Sequence, residues 1–199
     1  MKQFWDERYQ EPEYIYGKAP NAFLAEQLPQ LGAGKALFPA EGEGRNSAYA
    51  ASLGWRVRAF DYSRAAKAKA EQLYGELGVN VDYEVSAAEA FDFGENQYDL
   101  IGLLYVHLPP EVRATFHQTC MQALKPGGYI LLEAFDLKQL PLSSGGPKKL
   151  DMLYSLQTIE QDFAGLVPHV LAQEKTLLSE GAYHKGEAEV VRLLAQKPA

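Results

Sequence analysis

Two short stretches of the sequence combine glycines and carboxylates at a spacing suited to binding a nucleoside. The first is Glu41-Gly42-Glu43-Gly44, which follows a short apolar run and precedes a segment with helical periodicity. Glycines let a backbone approach a ligand closely, and the N-terminus of a helix offers free N–H groups to a carboxylate or phosphate. The second is Asp61, seventeen residues after Gly44, an offset typical of a carboxylate that accepts hydrogen bonds from ribose hydroxyls. Together they predict a site for a nucleoside-containing cofactor.

Each stretch also has a purely structural interpretation. A Gly-x-Gly sequence suits any tight turn from strand to helix, and Asp61 can share the capping of a helix with Ser63. The nicotinamide pattern Gly-x-Gly-x-x-Gly would require glycine at Ala40 or Ser47, depending on the register, so it fails in either. A Walker loop fails too, because Gly44 is followed by Arg45 and Asn46 where that loop needs Lys and Ser or Thr.

The elements that must position these residues alternate between strand and helix. We predict helices over residues 20–31, 46–53, 64–77, 110–124 and 158–165, and strands over residues 35–40, 55–60, 79–85, 98–104 and 129–135. Two further alternating runs, residues 170–178 and 188–195, should pair as an antiparallel hairpin at the sheet edge. The predicted fold class is therefore α/β: a doubly wound, mostly parallel seven-stranded sheet with a C-terminal antiparallel hairpin.

Length and composition favour one ordinary domain. The 199 residues are 47% hydrophobic and 23% charged. We expect a single domain over residues 1–199, comprising an N-terminal aromatic arm with its first helix (1–32), a cofactor-binding core (33–165) and the hairpin (166–199). The arm carries aromatic residues without a clean period, namely Phe4, Trp5, Tyr9, Tyr14 and Tyr16.

Charge and cysteine content limit the partners. The formal net charge of −7 and the lack of a basic stripe argue against nucleic acid and anionic membranes. The single cysteine cannot form an intramolecular disulfide, and no stretch reaches the roughly 18 apolar residues of a spanning helix. We expect a cytoplasmic protein, monomeric or homodimeric, that acts on a small molecule and binds no metal.

The chain resembles the class I S-adenosylmethionine-dependent methyltransferases, and within them the small tellurite-resistance and thiopurine-methyltransferase-like enzymes. The stretches that carry the resemblance are residues 4–9 (FWDERY), 37–46 (LFPAEGEGRN), 60–63 (FDYS), 98–101 (YDLI), 124–128 (LKPGG) and 180–186 (EGAYHKG). Two departures stand out: Phe38 replaces the acidic residue that many members carry in the first strand, and Ala40 replaces the first glycine of Gly-x-Gly-x-Gly. We interpret these as a variant site in which Glu41 supplies the carboxylate for the methionine ammonium.

The resemblance implies a Rossmann-like methyltransferase fold, with S-adenosylmethionine as cofactor and S-adenosylhomocysteine as product. It implies that Asp61 takes the ribose hydroxyls and that Tyr62 lies against the adenine, whose edge faces Ala88 and Glu89. Leu104 and Tyr105 would close the floor beside the sulfonium. The remaining implied cofactor residues are Ala40, Glu41, Gly42, Gly44, Asn46 and Ser63.

Methyl transfer needs a general base only if the acceptor arrives protonated. The candidates are His107 and His184, since histidine titrates nearest neutral pH, and Tyr105. His107 could instead cap the helix that begins at Pro110, and His184 could be an ordinary turn residue.

The acceptor side has weaker candidates. Arg45 could bind an anionic acceptor, or could face solvent and pair with Glu41 or Glu43, while Trp5 and Tyr16 could form part of an aromatic lid. The resemblance suggests thiol-like acceptors or metalloid oxyanions. Two alternatives stay open: a nicotinamide-dependent oxidoreductase, and an S-adenosylmethionine-binding module without turnover.

Overall fold

Strands and helices alternate along most of the chain, as predicted. The structure, a computed structural model, describes residues 2–199, with side chains from Trp5 onward, so the predicted aromatic side chain of Phe4 lies outside the described residues. The strands are β1 (Lys35–Pro39), β2 (Arg56–Asp61), β3 (Val81–Val85), β4 (Tyr98–Leu104), β5 (Leu124–Phe135), β6 (Val167–Glu180) and β7 (His184–Gln196). The helices are α1 (Lys2–Tyr9), α2 (Ala22–Gln27), α3 (Arg45–Ser52), α4 (Arg64–Leu77), α5 (Pro110–Ala123) and α6 (Leu156–Asp162).

The strands form a seven-stranded sheet in the order β3-β2-β1-β4-β5-β7-β6. The pairs β1–β2, β2–β3 and β4–β5 are parallel, and β7 runs antiparallel to β5. Strand order reverses after β3, which is the doubly wound arrangement whose ligands bind beyond the carboxyl ends of the strands. The predicted fold class is confirmed.

The chain divides into two compact units. The first unit comprises Met1–Asp92 and Glu180–Tyr183, and the second comprises Phe93–Ser179 and His184–Ala199. In the first unit, β1 and β2 pair from Lys35↔Arg56 to Pro39↔Phe60 around the fully buried side chains of Leu37 and Phe38. In the second unit, β4 and β5 pair around Leu100 and Ile101, which are also fully buried.

Helix α4 shows how local sequence fixes an element that borders the site. Ser63 caps its N-terminus, since its hydroxyl accepts a hydrogen bond from the Ala66 N–H, and Gly78 ends it in the left-handed conformation at φ 67°. Both ends agree with the prediction, because the capping residues Ser63 and Gly78 can be recognised in the sequence.

Several elements differ from their predicted bounds, and both hairpin strands are longer than predicted. β5 begins at Leu124 and runs through the Lys-Pro-Gly-Gly stretch, with a register shift where Tyr98 pairs with Leu124 and Leu100 pairs with Tyr129. α6 begins before Thr158, because the Ser155 side chain accepts the Thr158 N–H as its cap. The N-terminal arm, which showed no clean period, contains α1.

Within residues 2–199, no helix is both long enough and apolar enough to cross a membrane. In the same described part of the chain, no three His, Cys, Asp or Glu side chains are grouped as metal ligands would be.

Candidate functional site

The loop between β1 and α3, residues 40–44 (the glycine loop), turns through three left-handed residues. Ala40 has φ 50°, Gly42 has φ 62° and Gly44 has φ 86°. Glycine adopts this conformation without steric cost, whereas an alanine pays roughly 1–2 kcal/mol because its Cβ approaches the following carbonyl oxygen. The backbone therefore explains both glycines, and Ala40 is a strained substitute for a third.

Protein side chains fill the space beside both glycines. A Cβ at Gly42 would lie 2.6 Å from the Tyr9 hydroxyl, and one at Gly44 would lie 2.7 Å from Ala70 Cβ and 2.8 Å from the Tyr74 hydroxyl. Helix α1 therefore packs against Gly42 and helix α4 against Gly44, on the sides where a Cβ atom would lie. On these faces glycine permits close packing of helices, a different reason from the predicted approach of a ligand.

Glu41 lies in the glycine loop and caps the next helix. Its Oε1 accepts the N–H groups of Asn46 and Ser47, at 2.9 and 2.7 Å. Desolvation outweighs these hydrogen bonds and raises the pKa of Glu41 to about 7. Both hydrogen bonds end on Oε1, so the other carboxylate oxygen, Oε2, takes part in neither of them.

Asp61, at the end of β2, is joined to the glycine loop by a hydrogen bond. Its Oδ2 accepts the Gly42 N–H at 3.2 Å and its Oδ1 accepts the Ser63 N–H at 2.9 Å, while the residue is only 4% exposed. Burial raises the pKa of Asp61 to about 6 in spite of these donors. A carboxylate has about four lone-pair sites, so Asp61 can accept further hydroxyl donors.

The residues predicted to contact the adenine lie after β2 and β3. The Tyr62 hydroxyl is buried and, within the described part of the chain, forms no hydrogen bond. Burial raises the pKa of Tyr62, with Asp61 as the next cause. Ala88 is half-buried and Glu89 is exposed, in the turn that follows β3.

Two of the predicted cofactor residues are occupied in binding other parts of the first unit. The Asn46 side chain accepts the N–H of Asn21, which caps α2, at 2.8 Å. The Ser63 hydroxyl donates to Asp6 of α1 at 2.5 Å and accepts the Ala66 N–H. Both side chains therefore hold neighbouring helices in place.

Residues 5–18, called here the N-terminal segment, cover the glycine loop with aromatic side chains. The Trp5 ring stacks on Tyr9 at 5.5 Å between centroids and lies 6.5 Å from Tyr16. Tyr9 is buried, and desolvation raises its pKa well above the usual value. The structure thus brings the predicted Trp5 and Tyr16 together on one side of the loop.

Glu43 bonds this segment to the glycine loop. Its Oε2 accepts the N–H of Ile15 at 2.8 Å, and its Oε1 accepts Lys69 Nζ at 2.7 Å. Lys69 Nζ also donates to the carbonyl of Glu13 at 2.6 Å. The Glu43 side chain is 3% exposed, so this is a buried ion pair that holds residues 13–16.

Arg45 has partners other than those expected. Its guanidinium donates to Glu180 at 2.9 Å and to the Ala19 carbonyl at 3.2 Å, and the residue is buried. The alternative of a solvent-facing arginine paired with Glu41 or Glu43 is wrong, because Glu180 of the same unit supplies the carboxylate. Binding of an anionic acceptor by Arg45 stays a prediction, and the guanidinium would have to leave a buried ion pair to do it.

In the second unit, Leu104 ends β4 and Tyr105 follows it with φ 57°. The Tyr105 N–H donates to the Glu133 carbonyl at 2.7 Å and its hydroxyl donates to Glu133 Oε1 at 2.6 Å. A bulky residue in the left-handed region is strained and persists only where its surroundings fix it. Tyr105 is therefore held at both ends by one residue of β5.

His107 has backbone partners at both ring nitrogens. Nδ1 lies 2.7 Å from the Met152 carbonyl oxygen, and Nε2 accepts the Phe135 N–H at 3.1 Å. This pattern requires a neutral ring, and burial lowers the pKa of His107 to about 4. His107 does not cap α5, whose N-terminal cap residue is Pro109.

His184 is the first residue of β7 and is buried, where the sequence suggested a turn residue. Its ring meets Tyr105 edge-on at 4.5 Å and Phe135 at 5.3 Å. His184 and Tyr105, both predicted as candidate bases, are thus in contact.

Residues 39–128 match the family model of a methyltransferase domain. The match covers 90 of the 199 residues, less than half of the chain. Solved structures share its fold at low sequence identity. One, from work on converting a disulfide bond into a thioacetal group during echinomycin biosynthesis, is 15% identical over 100% of this chain and 92% of its own, with a TM-score of 0.80.

Two further structures have the same fold. TehB from Haemophilus influenzae is 17% identical, with 98% of this chain and 66% of that chain covered and a TM-score of 0.74. The N-methyltransferase NodS from Bradyrhizobium japonicum, solved with S-adenosyl-L-homocysteine, is 16% identical, with 100% and 98% covered and a TM-score of 0.73. No protein with a curated description matches the chain.

The first unit offers polar groups suited to S-adenosylmethionine. The Tyr62 hydroxyl is a buried polar atom without a hydrogen-bond partner among the described residues, and such an atom is costly unless a ligand satisfies it. Glu41 and Asp61 are carboxyls whose ionised form is disfavoured by burial, so a cation and two hydroxyl groups would stabilise both. The donor set therefore fits the cofactor.

Four residues were not assigned their observed roles from the sequence: Glu43, Lys69, Tyr83 and Glu133. Tyr83 donates its hydroxyl to the Gly42 carbonyl at 2.7 Å and so fixes the glycine loop from β3. Glu133 had a usable signal, since it is the one charged residue in the apolar run 129–135. A charge in a strand that is buried on both faces requires a partner.

Proposed function

We propose that this protein is a methyltransferase, which takes its methyl group from S-adenosylmethionine bound at the glycine loop and transfers it to a small-molecule acceptor. The observation that carries the proposal is the hydrogen bond from the Gly42 N–H to Asp61, which joins the glycine loop to the carboxyl end of β2. In a doubly wound sheet this is where a nucleoside is bound. When bound, the cofactor supplies a methyl group activated on a sulfonium.

The residues of the first unit have separate roles in this proposal. Asp61 accepts the ribose hydroxyls, Glu41 accepts the methionine ammonium and Tyr62 lies against the adenine, whose edge faces Ala88 and Glu89. Two observations support the first pair of roles: each carboxylate retains acceptor capacity, and each lies at the glycine loop or is bonded to it.

The remaining task of the chain is to position the acceptor and exclude water, which can contribute on the order of 7–11 kcal/mol through effective molarity. Among the candidate bases, Tyr105 is favoured over His107, because both His107 nitrogens are bonded to backbone groups. Thiols and metalloid oxyanions are the acceptor classes that the sequence resemblance suggests.

The ribose assignment is tested by Asp61→Asn, with Asp82→Asn as the matched control. Asp82 lies on β3, pairs with Arg58 and has a 72% exposed side chain. Because hydrogen bonds to a buried charged group contribute about 1.5–3 kcal/mol, we expect Asp61→Asn to weaken cofactor binding roughly 10- to 100-fold in calorimetry. Equal affinity in the two variants would show that Asp61 does not hold the ribose.

A further inference from the structure

Residues 180–183, called the 180–183 turn, end β6 and lead into β7, and they pack closely against the N-terminal segment. Both sides of this contact belong to the first unit. A Cβ at Gly181 would lie 2.3 Å from the Ile15 carbonyl oxygen and 2.7 Å from the Gly17 nitrogen. The Ala182 N–H donates to the same Ile15 carbonyl at 3.1 Å. The two backbones therefore meet at a distance that only glycine allows at position 181.

Side chains of the 180–183 turn add two further contacts. Glu180 accepts the Arg45 guanidinium at 2.9 Å, and the two side chains are 12% and 8% exposed, so the ion pair is largely buried. The Arg8 guanidinium lies 4.5 Å from the centroid of the Tyr183 ring, within the range of a cation–π interaction. The turn is therefore bound to α3 through Arg45 and to the N-terminal segment through Arg8.

The N-terminal segment contacts the candidate cofactor site at separate points. The Tyr9 hydroxyl packs against Gly42 of the glycine loop. Asp6 accepts the Ser63 hydroxyl at 2.5 Å, and the Ser63 N–H donates to Asp61 at 2.9 Å. Burial first and the charge of Asp61 second raise the pKa of Tyr9, because the phenol lies close to that carboxyl. The segment is therefore joined to both the glycine loop and the end of β2.

Contacts with neighbouring elements fix the position of this segment. Helix α1 ends at Tyr9, and residues 10–18, which the structure describes in full, contain no helix or strand. This part of the segment therefore depends on contacts with other elements, among them the 180–183 turn. Segments held in this way open locally at a lower free energy than the core of a domain does.

We propose that the N-terminal segment is a lid on the cofactor site, that the 180–183 turn holds it closed, and that Glu180 and Gly181 are positioning residues for cofactor binding. The inference rests on the proposed function, since S-adenosylmethionine is the ligand that the lid retains. Glycine at position 181 lets the two backbones meet, and the Glu180 carboxylate fixes the turn to α3. When the turn releases the segment, the contacts with the glycine loop and Ser63 separate and the site opens to solvent.

The first pair of test variants is Gly181→Ala and its matched control Gly78→Ala. Both glycines are left-handed, at φ 68° and 67°, so an alanine is strained to the same extent at each. A Cβ at Gly78 would have no described atom within 4 Å, whereas one at Gly181 would meet the Ile15 carbonyl oxygen. The difference between the two variants therefore measures the contact with the N-terminal segment.

The second pair, Glu180→Gln and Glu84→Gln, keeps the proposal testable if Gly181→Ala fails to fold. Glu180→Gln leaves the buried Arg45 guanidinium without the Glu180 charge and so weakens the hold on the turn. Glu84 pairs with Arg58, and their side chains are 48% and 28% exposed, so the control removes a pair that contributes little.

Limited proteolysis of the ligand-free protein is the first measurement. A glutamate-specific protease cleaves after Glu11 and Glu13, which are both exposed in the N-terminal segment. We expect cleavage there to be about tenfold faster in Gly181→Ala than in Gly78→Ala, and faster in Glu180→Gln than in Glu84→Gln, because the rate follows the population of the open form. Equal cleavage rates within both pairs would overturn the proposal.

Dissociation of S-adenosylhomocysteine is the second measurement, followed by displacement of the radiolabelled compound with an excess of unlabelled compound. We expect the dissociation rate constant to rise about tenfold in Gly181→Ala and Glu180→Gln relative to their controls. Rate constants that are equal within both pairs would contradict the lid. A wild type that binds neither S-adenosylmethionine nor S-adenosylhomocysteine would instead contradict the proposed function, while the proteolysis, which needs no ligand, still tests the hold of the turn on the segment.

Discussion

Ala40 shows how a single residue can retain a backbone turn at a cost. Its φ of 50° is the conformation that glycine favours, and Gly42 and Gly44 follow in the same conformation. The departure from the Gly-x-Gly-x-Gly pattern therefore leaves the turn in place and adds local strain.

We expect Ala40→Gly to raise the free energy of unfolding by up to about 1 kcal/mol, because relief of the left-handed strain exceeds the greater chain entropy of glycine. The matched control is Ala68→Gly, at an exposed position within α4, which should cost about 1 kcal/mol. Chemical denaturation of both variants decides the point. A loss of stability in Ala40→Gly as large as in Ala68→Gly would show that the left-handed conformation of Ala40 is not strained.

The two buried carboxyls predict how cofactor binding depends on pH. Burial raises the pKa of Glu41 to about 7 and that of Asp61 to about 6, so the ligand-free protein takes up protons at both as pH falls from 8 to 5. An ammonium and ribose hydroxyls prefer the ionised forms, so S-adenosylmethionine should bind more weakly as pH falls below about 7. The stability of the ligand-free protein depends on pH in the opposite direction. Each carboxyl binds its proton more tightly in the folded state, so the stabilisation from this proton is fully present below about pH 4 and is lost as pH rises through 6 to 7.

Calorimetric titrations at pH 5, 6, 7 and 8 measure this dependence. Glu41→Gln is the control, because it removes the upper of the two titrations and should flatten the affinity between pH 6 and 8. A wild-type affinity that does not change from pH 5 to 8 would contradict the assignment of these carboxyls to the cofactor.

At the residue scale, the sequence predicted which residue types gather at the carboxyl ends of the first two strands but gave no account of their partners. Asp61 and Glu41 follow from position in a strand-turn-helix pattern. The ion pair of Arg45 with Glu180 joins residues 135 positions apart, and no local pattern encodes such a pair. Of the two roles predicted for Arg45, pairing with Glu41 or Glu43 was wrong for that reason.

At the element scale, the N-terminal segment depends on Glu43. This buried carboxylate accepts the Ile15 N–H and Lys69 Nζ, and Lys69 in turn donates to the Glu13 carbonyl. Since Glu43 lies within the glycine loop, a change in the loop is transmitted directly to residues 13–16.

Glu43→Gln should lower the free energy of unfolding by on the order of 2 kcal/mol and expose residues 10–18 to proteolysis, because it leaves the Lys69 ammonium without its buried counter-charge. Glu76→Gln is the control. Glu76 also pairs with a lysine of the segment, Lys18, but both side chains are more than 40% exposed, so little change is expected. Equal effects of the two substitutions in denaturation and limited proteolysis would contradict the role given to Glu43.

Elements with explicit end signals were predictable, and those without them were not. α4 has Ser63 and Gly78 at its ends and was predicted to the residue. The extension of β5 back to Leu124 was not, because Pro126, Gly127 and Gly128 favour a break and the strand continues only through its pairing with neighbours. α1 was missed because the burial of its Tyr9 depends on the glycine loop, which is remote in sequence.

At the scale of the whole molecule, alternation of strands and helices was sufficient to predict the seven-stranded sheet and its antiparallel C-terminal pair. The rules for crossover connections leave few topologies once the order of elements is known. The alternation could not predict the hydrogen bonds that link Tyr105 to Glu133, Glu133 to Arg192 and Arg192 to Glu174. These bonds join side chains on the neighbouring strands β5, β7 and β6.

The central claim, that the glycine loop and Asp61 hold S-adenosylmethionine, is tested most directly by calorimetry of the wild-type protein with three ligands. S-adenosylmethionine and S-adenosylhomocysteine should both bind with a stoichiometry of one per chain, and NAD should give no heat of binding. The nicotinamide cofactor is the informative competitor, because a dinucleotide site would use the same carboxylate after the second strand. Binding of NAD without binding of either sulfur ligand would contradict the claim.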